Sequence, residues 1–504
     1  MKKLIVCCDG TWDTPTEMDH GVPAPTNVVK LYNVLVSDDS QLVYYHPGVG
    51  TGKGWWDHLI GGSTGEGLDQ NIMSAYRWLG THYAVGDQIF LFGFSRGAYT
   101  VRSLGGLIAK CGLIDLSAPM IPDDMWKRVK EVFAAYRKQV DFANPNGYPF
   151  YNAAQGKNPK ETTPIFFIGV WDTVGALGIP DDFALLGLFD GADKYRFHDT
   201  ALSRLVAHAR HAVALDERRA SFAPTLWSKT VDTDVKQIWF PGAHCDVGGG
   251  YVETGLSDRA LEWMIEQADD CGLSFRPDIR KQLKPNALGV LHDSCTGVFK
   301  ALKTKPRSAP PIPEGAAILD QSAITRNKNT PLLQGEYWPS HELVPSKSKT
   351  INIYARQHWN YTGLYLETGR TYHFTASGQW IDLKDRFSAA GQETRGFHLG
   401  DMARSTGALL GEAETIFKNV THKEADFWFT RRDEHAPWFA LMGFVASQYG
   451  EDAKTLAVGE SFTIGEQAIF TPKLGGYLYC YANDAWQAYD NNRGSVALTV
   501  THQS

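Results

Sequence analysis

Long hydrophobic runs are missing from this sequence. No stretch of its 504 residues approaches about 18 consecutive apolar residues, the length that a membrane-spanning helix needs. The apolar run after Lys2 and Lys3 stops at Asp9, which is too short for the hydrophobic region of a signal peptide. We therefore expect no membrane span. If the protein acts outside its cell, we expect an export route that reads no amino-terminal signal.

An excess of positive charge is also missing. Lysine and arginine number 49, aspartate and glutamate number 56, and the formal net charge is −7. Nucleic-acid proteins neutralise phosphates with surplus basic residues, so no nucleic-acid partner is expected. The 7 cysteines are odd in number and scattered, and they lack metal-ligand spacing. This pattern favours folding in a reducing compartment over a disulfide framework.

One motif that is present organises the first half of the chain. Residues 93–97 fit the pattern G-x-S-x-G, with Ser95 at its centre. The apolar run 89–92 predicts a buried strand before the motif, and helical spacing over 98–110 predicts a helix after it. Strand, tight turn and helix are the context of a nucleophile elbow, in which glycines leave room for a crowded turn. A chance match in an ordinary turn is the alternative.

Further segments predict an α/β fold, with a mostly parallel sheet and helices on both faces. Predicted strands cover 4–8, 42–45, 89–92, 164–170 and 235–240, and predicted helices cover 27–35, 69–86, 98–110, 123–140, 202–214 and 257–270.

We interpret His208 and His211, within the helix predicted over 202–214, as parts of a structural ion-pair network with residues 216–219. The apolar stretch 176–200 is either an acyl-accepting wall or core.

Two further side chains follow predicted core strands. Asp172 follows the strand over 164–170, and His244 follows the strand over 235–240. The carboxyl ends of successive parallel strands meet at one edge of a sheet, where ligands bind. Ser95, Asp172 and His244 therefore form a candidate triad in the chain order of α/β-hydrolases. Asp246 paired with His292 is the alternative that the sequence leaves open.

Such a triad needs an oxyanion hole and no cofactor. The expected donors are the N–H of Arg96, which follows the nucleophile, and an N–H from the loop at Asp9 and Gly10. These groups predict a serine hydrolase that acts on carboxylic esters. The acyl substrate could be a lipid, a small ester or a glycan acyl group.

The composition changes after about residue 303. Prolines cluster over 306–313, and beyond residue 346 polar and apolar residues alternate between glycine, asparagine and aspartate turns. This alternation is typical of an all-β sandwich. We predict a catalytic domain over 1–305, a proline-rich linker or wrapping segment over 306–345, and a β-sandwich over 346–504.

The motifs at 9–12, 93–99, 171–175 and 241–251 together resemble the type VI secretion lipase effectors of the first class. The resemblance covers about residues 1–305 and supports Ser95, Asp172 and His244. It implies an α/β-hydrolase core and phospholipase A activity on bacterial membrane phospholipids. It also implies synthesis in a bacterial cytoplasm and delivery through a spike protein as an antibacterial toxin. The toxin would act in the target periplasm or outside the cell, and an immunity protein would be a further partner.

The segment 483–495 resembles the calcium loop of the galactose-binding PA-I-type bacterial lectins. That resemblance implies one Ca²⁺ held by Asp484, the Ala488 carbonyl, Asn491 and Asn492, with a further carbonyl from the 380–383 loop, placed at Leu383. The sugar-contacting residues of those lectins have no match, so calcium is expected rather than galactose. The alternative function is a calcium-dependent carbohydrate-binding protein. Its amino-terminal half would then be a scaffold or hydrolyse a small ester.

Overall fold

The chain divides into two compact units, residues 1–296 with 314–335 and residues 297–313 with 336–504. The computed structural model describes residues 1–10, 18–19, 22–48, 64–151, 165–174, 202–227, 233–296, 304–307, 318–329, 341–382, 385–392, 431–447 and 459–503. The predicted apolar wall at 176–200 and the predicted ligand Leu383 lie outside these residues.

The first unit alternates strands and helices. Its described strands are β1 (Lys3–Cys8), β2 (Met18–Asp19), β3 (Val22–Pro23), β4 (Gln41–His46), β5 (Gln88–Phe94), β6 (Ile165–Trp171), β7 (Val206–Ala214) and β8 (Asp234–Phe240). Its described helices are α1 (Asn27–Val34), α2 (Thr64–His82), α3 (Arg96–Cys111), α4 (Pro122–Arg137), α5 (His244–Gly248), α6 (Gly255–Asp270), α7 (Ile279–Gln282) and α8 (Gln321–Lys328). No helix in these described ranges is long and apolar enough to cross a membrane.

Six of these strands form one sheet in the order β4-β1-β5-β6-β7-β8. Every pairing in it is parallel. In β1, Leu4 and Val6 belong to a core cluster shared with α2, α3 and α4, whereas Ile5 and Cys7 belong to a second cluster shared with α1 and α6. The strands read as apolar runs because helices cover both faces of the sheet. The predicted α/β class is confirmed.

One predicted element is wrong. The helix predicted over 202–214 is the strand β7, which lies between β6 and β8. Its second half is buried on both faces, so its apolar residues do not alternate. Such a run cannot be told from a buried helix by periodicity. The strands that precede Asp172 and His244 are therefore separated by β7 and are not successive.

The region predicted as a linker, residues 306–345, is divided between the two units. Residues 318–329 belong to the first unit, where Trp239 N–H donates to the Ile318 carbonyl at 2.9 Å. Arg259 forms an ion pair with Asp320 at 2.9 Å. Residues 304–307 belong to the second unit, where Trp359 Nε1 donates to the Thr304 carbonyl at 2.9 Å. Contacts that are distant in sequence decide these assignments.

The described strands of the second unit form two sheets, and the predicted all-β architecture is confirmed. Its described strands are β9 (His341–Glu342), β10 (Ser348–Tyr354), β11 (Asn360–Leu366), β12 (Tyr372–Asp382), β13 (Asp385–Ser388), β14 (Leu441–Ser447), β15 (Glu460–Thr463), β16 (Gln467–Phe470), β17 (Gly476–Ala482) and β18 (Asn492–His502). One sheet has the order β10-β18-β12-β13, with β16 on β12, and the other has the order β15-β14-β17-β11-β9. All pairings are antiparallel except β9 with β11. Both sheets contribute to one core cluster, which includes Trp380 and Leu478.

Candidate active site

Ser95 occupies a strained turn between β5 and α3. Its φ of 56° and ψ of −120° are unusual for a residue with a side chain. A Cβ at Gly93 would overlap the Gly97 carbonyl, and a Cβ at Gly97 would overlap the Cys8 carbonyl at the end of β1. The motif therefore needs both glycines because the backbone segments touch there. This is the geometry of a nucleophile elbow.

Asp172 and His244 form a buried pair. Asp172 follows β6 with a φ of 34°, and its N–H donates to the Ala212 carbonyl of β7 at 2.7 Å. Its Oδ1 accepts the N–H of Ala214 at 3.0 Å, which fixes the carboxylate. Its Oδ2 lies 2.6 Å from Nδ1 of His244, the first residue of α5. The carboxylate is thus aimed at one nitrogen of the imidazole.

Ser95 lies at the same edge of the sheet as the Asp172–His244 pair. The N–H of Ser95 donates to the carbonyl of Trp171, the residue before Asp172, at 3.1 Å. The ring of Phe94, the residue before Ser95, lies 4.6 Å from the ring of His244, centroid to centroid. A Cβ at Gly248 would overlap the Phe94 ring, so α5 can lie against the elbow only with glycine there. The structure thus places the three predicted triad residues at one edge of the sheet.

His244 has the protonation state that a base needs. Burial lowers the pKa of His244 below its ordinary value, and the hydrogen bond and charge of Asp172 oppose that shift without cancelling it. The imidazole is therefore neutral near pH 7. Across the described residues, Nδ1 is bonded to Asp172 and no hydrogen bond to Nε2 is found. Nε2 is the nitrogen that can accept a proton.

The alternative pair also meets, but with different chemistry. Nδ1 of His292 lies 2.6 Å from Oδ1 of Asp246, and Nε2 lies 3.3 Å from Glu253 Oε2. The ring stacks on Tyr251 with centroids 3.9 Å apart. Burial by itself would lower the pKa of His292, but Asp246 and then Glu253 raise it above the ordinary value. Both nitrogens face carboxylates, so this geometry favours His244 as the base.

Two of the predicted oxyanion donors are already engaged. The N–H of Gly10 donates to Oδ1 of Asp9 at 2.8 Å, and the N–H of Asp9 donates to the His46 carbonyl at 3.0 Å. The Asp9 carboxylate also accepts hydroxyl groups of Thr26 and Tyr45. In this structure Asp9 and Gly10 therefore organise the loop, contrary to the expected donor role. Arg96, the other expected donor, is the first residue of α3 and follows Ser95 directly.

Sequence reasoning missed His211 as a support for the acid. His211 is fully buried, and its Nε2 accepts the N–H of Thr173, the residue after Asp172, at 3.1 Å. Its Nδ1 lies 3.4 Å from Gln237 Oε1. His208 pairs with Asp234 at 2.9 Å, which is not one of the predicted partners 216–219, and Arg219 pairs with Glu217 at 2.8 Å. The assignment of β7 as a strand explains why His211 contacts Thr173 and Gln237.

The predicted calcium residues in the second unit fit a hard cation. Asp484 is fully buried; its Oδ1 accepts the Ala485 N–H at 2.7 Å and its Oδ2 accepts Nδ2 of Asn492 at 3.0 Å. The side-chain oxygens of Asn491 and Asn492 are buried and have no hydrogen-bond partner among the described residues. Buried polar oxygens are normally satisfied, and Ca²⁺ prefers such ligands. Ala488 lies in the same short helical segment, between Trp486 and Asn491.

Fold and site together define an α/β-hydrolase-like unit joined in sequence to an all-β unit. The family model for the catalytic domain of Tle1-like phospholipase effectors of the type VI secretion system matches residues 2–267, more than half of the chain. The chain belongs to this family.

Individual proteins that resemble this chain share between 12% and 32% sequence identity with it. An uncharacterized protein of Saccharomyces cerevisiae is 32% identical over 243 residues, which are 44% of this chain and 32% of that protein. The chain thus spans about a third of that relative's length. An uncharacterized protein from Pseudomonas aeruginosa has a TM-score of 0.35 at 18% identity, over 56% of this chain and 49% of that one. The Tle1 effector bound to the VgrG spike has a TM-score of 0.29 at 12% identity, over 97% and 70%. The N-terminal domain of EclA, a PllA-like lectin, has a TM-score of 0.18 at 14% identity, over 31% and 95%.

Proposed function

We propose that this protein is a serine ester hydrolase of the phospholipase A type. The observation that carries the proposal is the buried contact of 2.6 Å between Asp172 and His244 at the edge where Ser95 sits in a strained elbow. Serine is a weak nucleophile until a neutral imidazole takes its proton, and the resulting imidazolium needs a carboxylate. Ser95 would be the nucleophile, His244 the imidazole base and Asp172 the carboxylate.

The reaction follows from these positions. Ser95 Oγ attacks the acyl carbonyl while its proton passes to Nε2 of His244, and Asp172 stabilises the imidazolium. The N–H of Arg96 donates to the oxyanion. His244 then protonates the leaving alcohol, and a water molecule, deprotonated by His244, releases the fatty acid from Ser95. The ring of His244 packs against Phe94 at a tilt and nearly perpendicular to Phe222, with centroids 4.6 Å and 5.0 Å away.

Family membership supports a phospholipid as the substrate and a type VI apparatus as the delivery route. On this proposal the protein is an antibacterial toxin that this apparatus exports from the cell. It hydrolyses membrane phospholipid in the target periplasm or outside the cell. A spike protein carries it, and an immunity protein protects the producer. The catalytic site itself uses no cofactor.

A second role is proposed for the all-β unit. The buried oxygens of Asp484, Asn491 and Asn492 favour one Ca²⁺, which would cross-link the loop before β18. When bound, the ion supplies a positive centre that can hold hydroxyl groups of a glycan. The unit would then direct the hydrolase to a glycan-bearing surface, or act as a calcium-dependent lectin in its own right.

A fluorogenic phospholipid assay tests the catalytic proposal. Ser95→Ala should lower kcat by about 10³-fold or more, because the nucleophile is removed. Ser117→Ala is the matched control, since Ser117 is exposed and its hydroxyl donates to Asp115. Fluorophosphonate should label wild type at Ser95 and leave Ser95→Ala unlabelled. Equal rates in wild type and Ser95→Ala would refute the proposal.

A glycan array with and without chelator tests the second role, and binding that persists in the presence of the chelator would refute it.

A further inference from the structure

The turn that carries His244 is held by a buried carboxylate within it. Asp246 is 1% exposed, and its Oδ2 accepts the N–H of Ala243, the residue before His244, at 3.0 Å. Gly242 has a φ of 115°, and a Cβ there would overlap Asp246, so glycine lets the carboxylate fold back on the turn. Asp246 thereby fixes the direction in which the chain enters α5.

A second buried carboxylate holds the next peptide group. Glu217 is 1% exposed, and its Oε2 accepts the N–H of His244 at 3.2 Å. Arg219 balances its charge, with Nε at 2.9 Å from Oε1 and Nη2 at 2.8 Å from Oε2. The consecutive backbone N–H groups of Ala243 and His244 thus donate to two different carboxylates, those of Asp246 and Glu217.

Both carboxylates are in turn bonded by one distant segment, residues 292–294. His292 contacts Oδ1 of Asp246 through Nδ1 at 2.6 Å, and its backbone N–H donates to Oδ2 at 3.0 Å. The Ser294 hydroxyl donates to Oε1 of Glu217 at 2.8 Å. A buried carboxylate that loses a donor pays a desolvation cost and moves toward another donor. The position of the His244 backbone therefore depends on residues 292–294.

We propose that His292 and Ser294 are positioning residues for His244, acting through Asp246 and Glu217. We call these four residues the histidine clamp. Neither His292 nor Ser294 takes part in proton transfer, and the idea rests on the proposed function of His244 as the base. The clamp holds the imidazole along the line between Asp172 and Ser95, where a displacement of ~1 Å can cost about 10²-fold in rate.

The clamp predicts a particular kinetic signature. His292→Ala should lower kcat by roughly 10- to 100-fold, because the base is misplaced, and should leave KM within about twofold. Ser294→Ala removes one hydroxyl and should have a smaller effect of the same kind. His292→Gln should restore part of kcat because its amide N–H can donate to Asp246. His208→Ala is the matched control, since His208 also contacts an aspartate, Asp234, at 2.9 Å, but near the amino end of β7.

The test adds a readout that needs no turnover. The low-field proton NMR signal of the His244 Nδ1–H, assigned by its loss in Asp172→Ala, reports the Asp172–His244 hydrogen bond directly. It should broaden or shift in His292→Ala and Ser294→Ala and stay unchanged in His208→Ala. An unlabelled, inactive wild type would refute the proposed function, and the NMR signal would still decide the clamp.

Two results would overturn the clamp while leaving the catalytic proposal intact. One is a folded His292→Ala variant with wild-type kcat and an unchanged signal. If circular dichroism shows that His292→Ala does not fold, Ser294→Ala and His292→Gln decide instead. Wild-type kcat and an unaltered signal in both of them would then refute the clamp.

Discussion

Oδ2 of Asp172 lies 2.6 Å from Nδ1 of His244, although the two residues are 72 positions apart in the chain. Asp172 is fully buried, and its other oxygen is held by the backbone N–H of Ala214. A carboxylate fixed in this way selects one tautomer of the imidazole. In the mechanism that we propose, Nε2 then remains to take the proton of Ser95, so the fold sets the direction of proton transfer.

The first prediction concerns this pair. Asp172→Asn should keep the shape of the site but favour the wrong tautomer of His244, and should lower kcat by about 10³- to 10⁴-fold. Steady-state hydrolysis of a fluorogenic ester measures it. Asp234→Asn, which alters the outlying pair with His208, should stay near wild type. Equal losses in the two variants would contradict the assignment of Asp172.

The second prediction concerns the pH profile. Burial lowers the pKa of His244, so the free enzyme keeps a neutral base below the ordinary histidine value of 6.5. The plateau of kcat/KM should therefore extend below pH 6.5 and decline only as the pH falls through the lowered pKa. The rate of fluorophosphonate labelling of Ser95 should follow the same curve. An acidic midpoint above 6.5 would show that another group is the base.

The third prediction concerns the elbow. Gly97→Ala should lower the free energy of unfolding of the first unit by about 3 kcal/mol, since the new Cβ meets the rigid backbone carbonyl of Cys8. Calorimetry of the full chain measures the shift. Gly106→Ala is the matched control in α3, because its Cβ would meet the end of the Tyr136 side chain, with the hydroxyl at 3.0 Å, and no backbone atom is among its three nearest neighbours. That variant should change stability by less than about 1 kcal/mol.

The fourth prediction concerns the pH dependence of stability at His292. Asp246 and Glu253 face its nitrogens and Tyr251 stacks on its ring, and its pKa is raised above 6.5. A raised pKa contributes stability that is complete below the unfolded value and is lost as the pH rises through the folded value. The difference in unfolding midpoint between wild type and His292→Ala should be larger near about pH 6 than near about pH 8.5. The opposite trend would exclude a charged His292.

The fifth prediction concerns calcium. Titration calorimetry should detect binding of about one Ca²⁺ per chain, and saturation at 100 times Kd should stabilise the second unit by about 2.7 kcal/mol. Asp484→Asn should abolish this gain. Asp490→Asn should not, because that side chain is 92% exposed in the same loop. Binding that survives Asp484→Asn would place the ion elsewhere.

Local order in the sequence was enough to determine much of this protein. The elbow at Ser95 could be predicted because strand, turn and helix are neighbours in the chain. The two glycines of the motif also indicate a turn in which backbone segments lie close together. The parallel α/β class followed from apolar runs that end in polar residues, and the all-β unit followed from alternation. Asp172 and His244 could be named because Asp172 directly follows β6 and His244 lies in the turn after β8.

The tertiary structure decided what depends on distance. The strand β7 was hidden because both of its faces are buried, which removes the alternation that marks a strand. The choice between His244 and His292 needed the surroundings of each ring, since both histidines meet an aspartate at 2.6 Å. The engagement of Gly10 N–H by Asp9 and the contact of Ser294 with Glu217 follow from packing. Sequence periodicity records which face of an element is apolar, whereas hydrogen-bond partners across many residues are set only when the chain is folded.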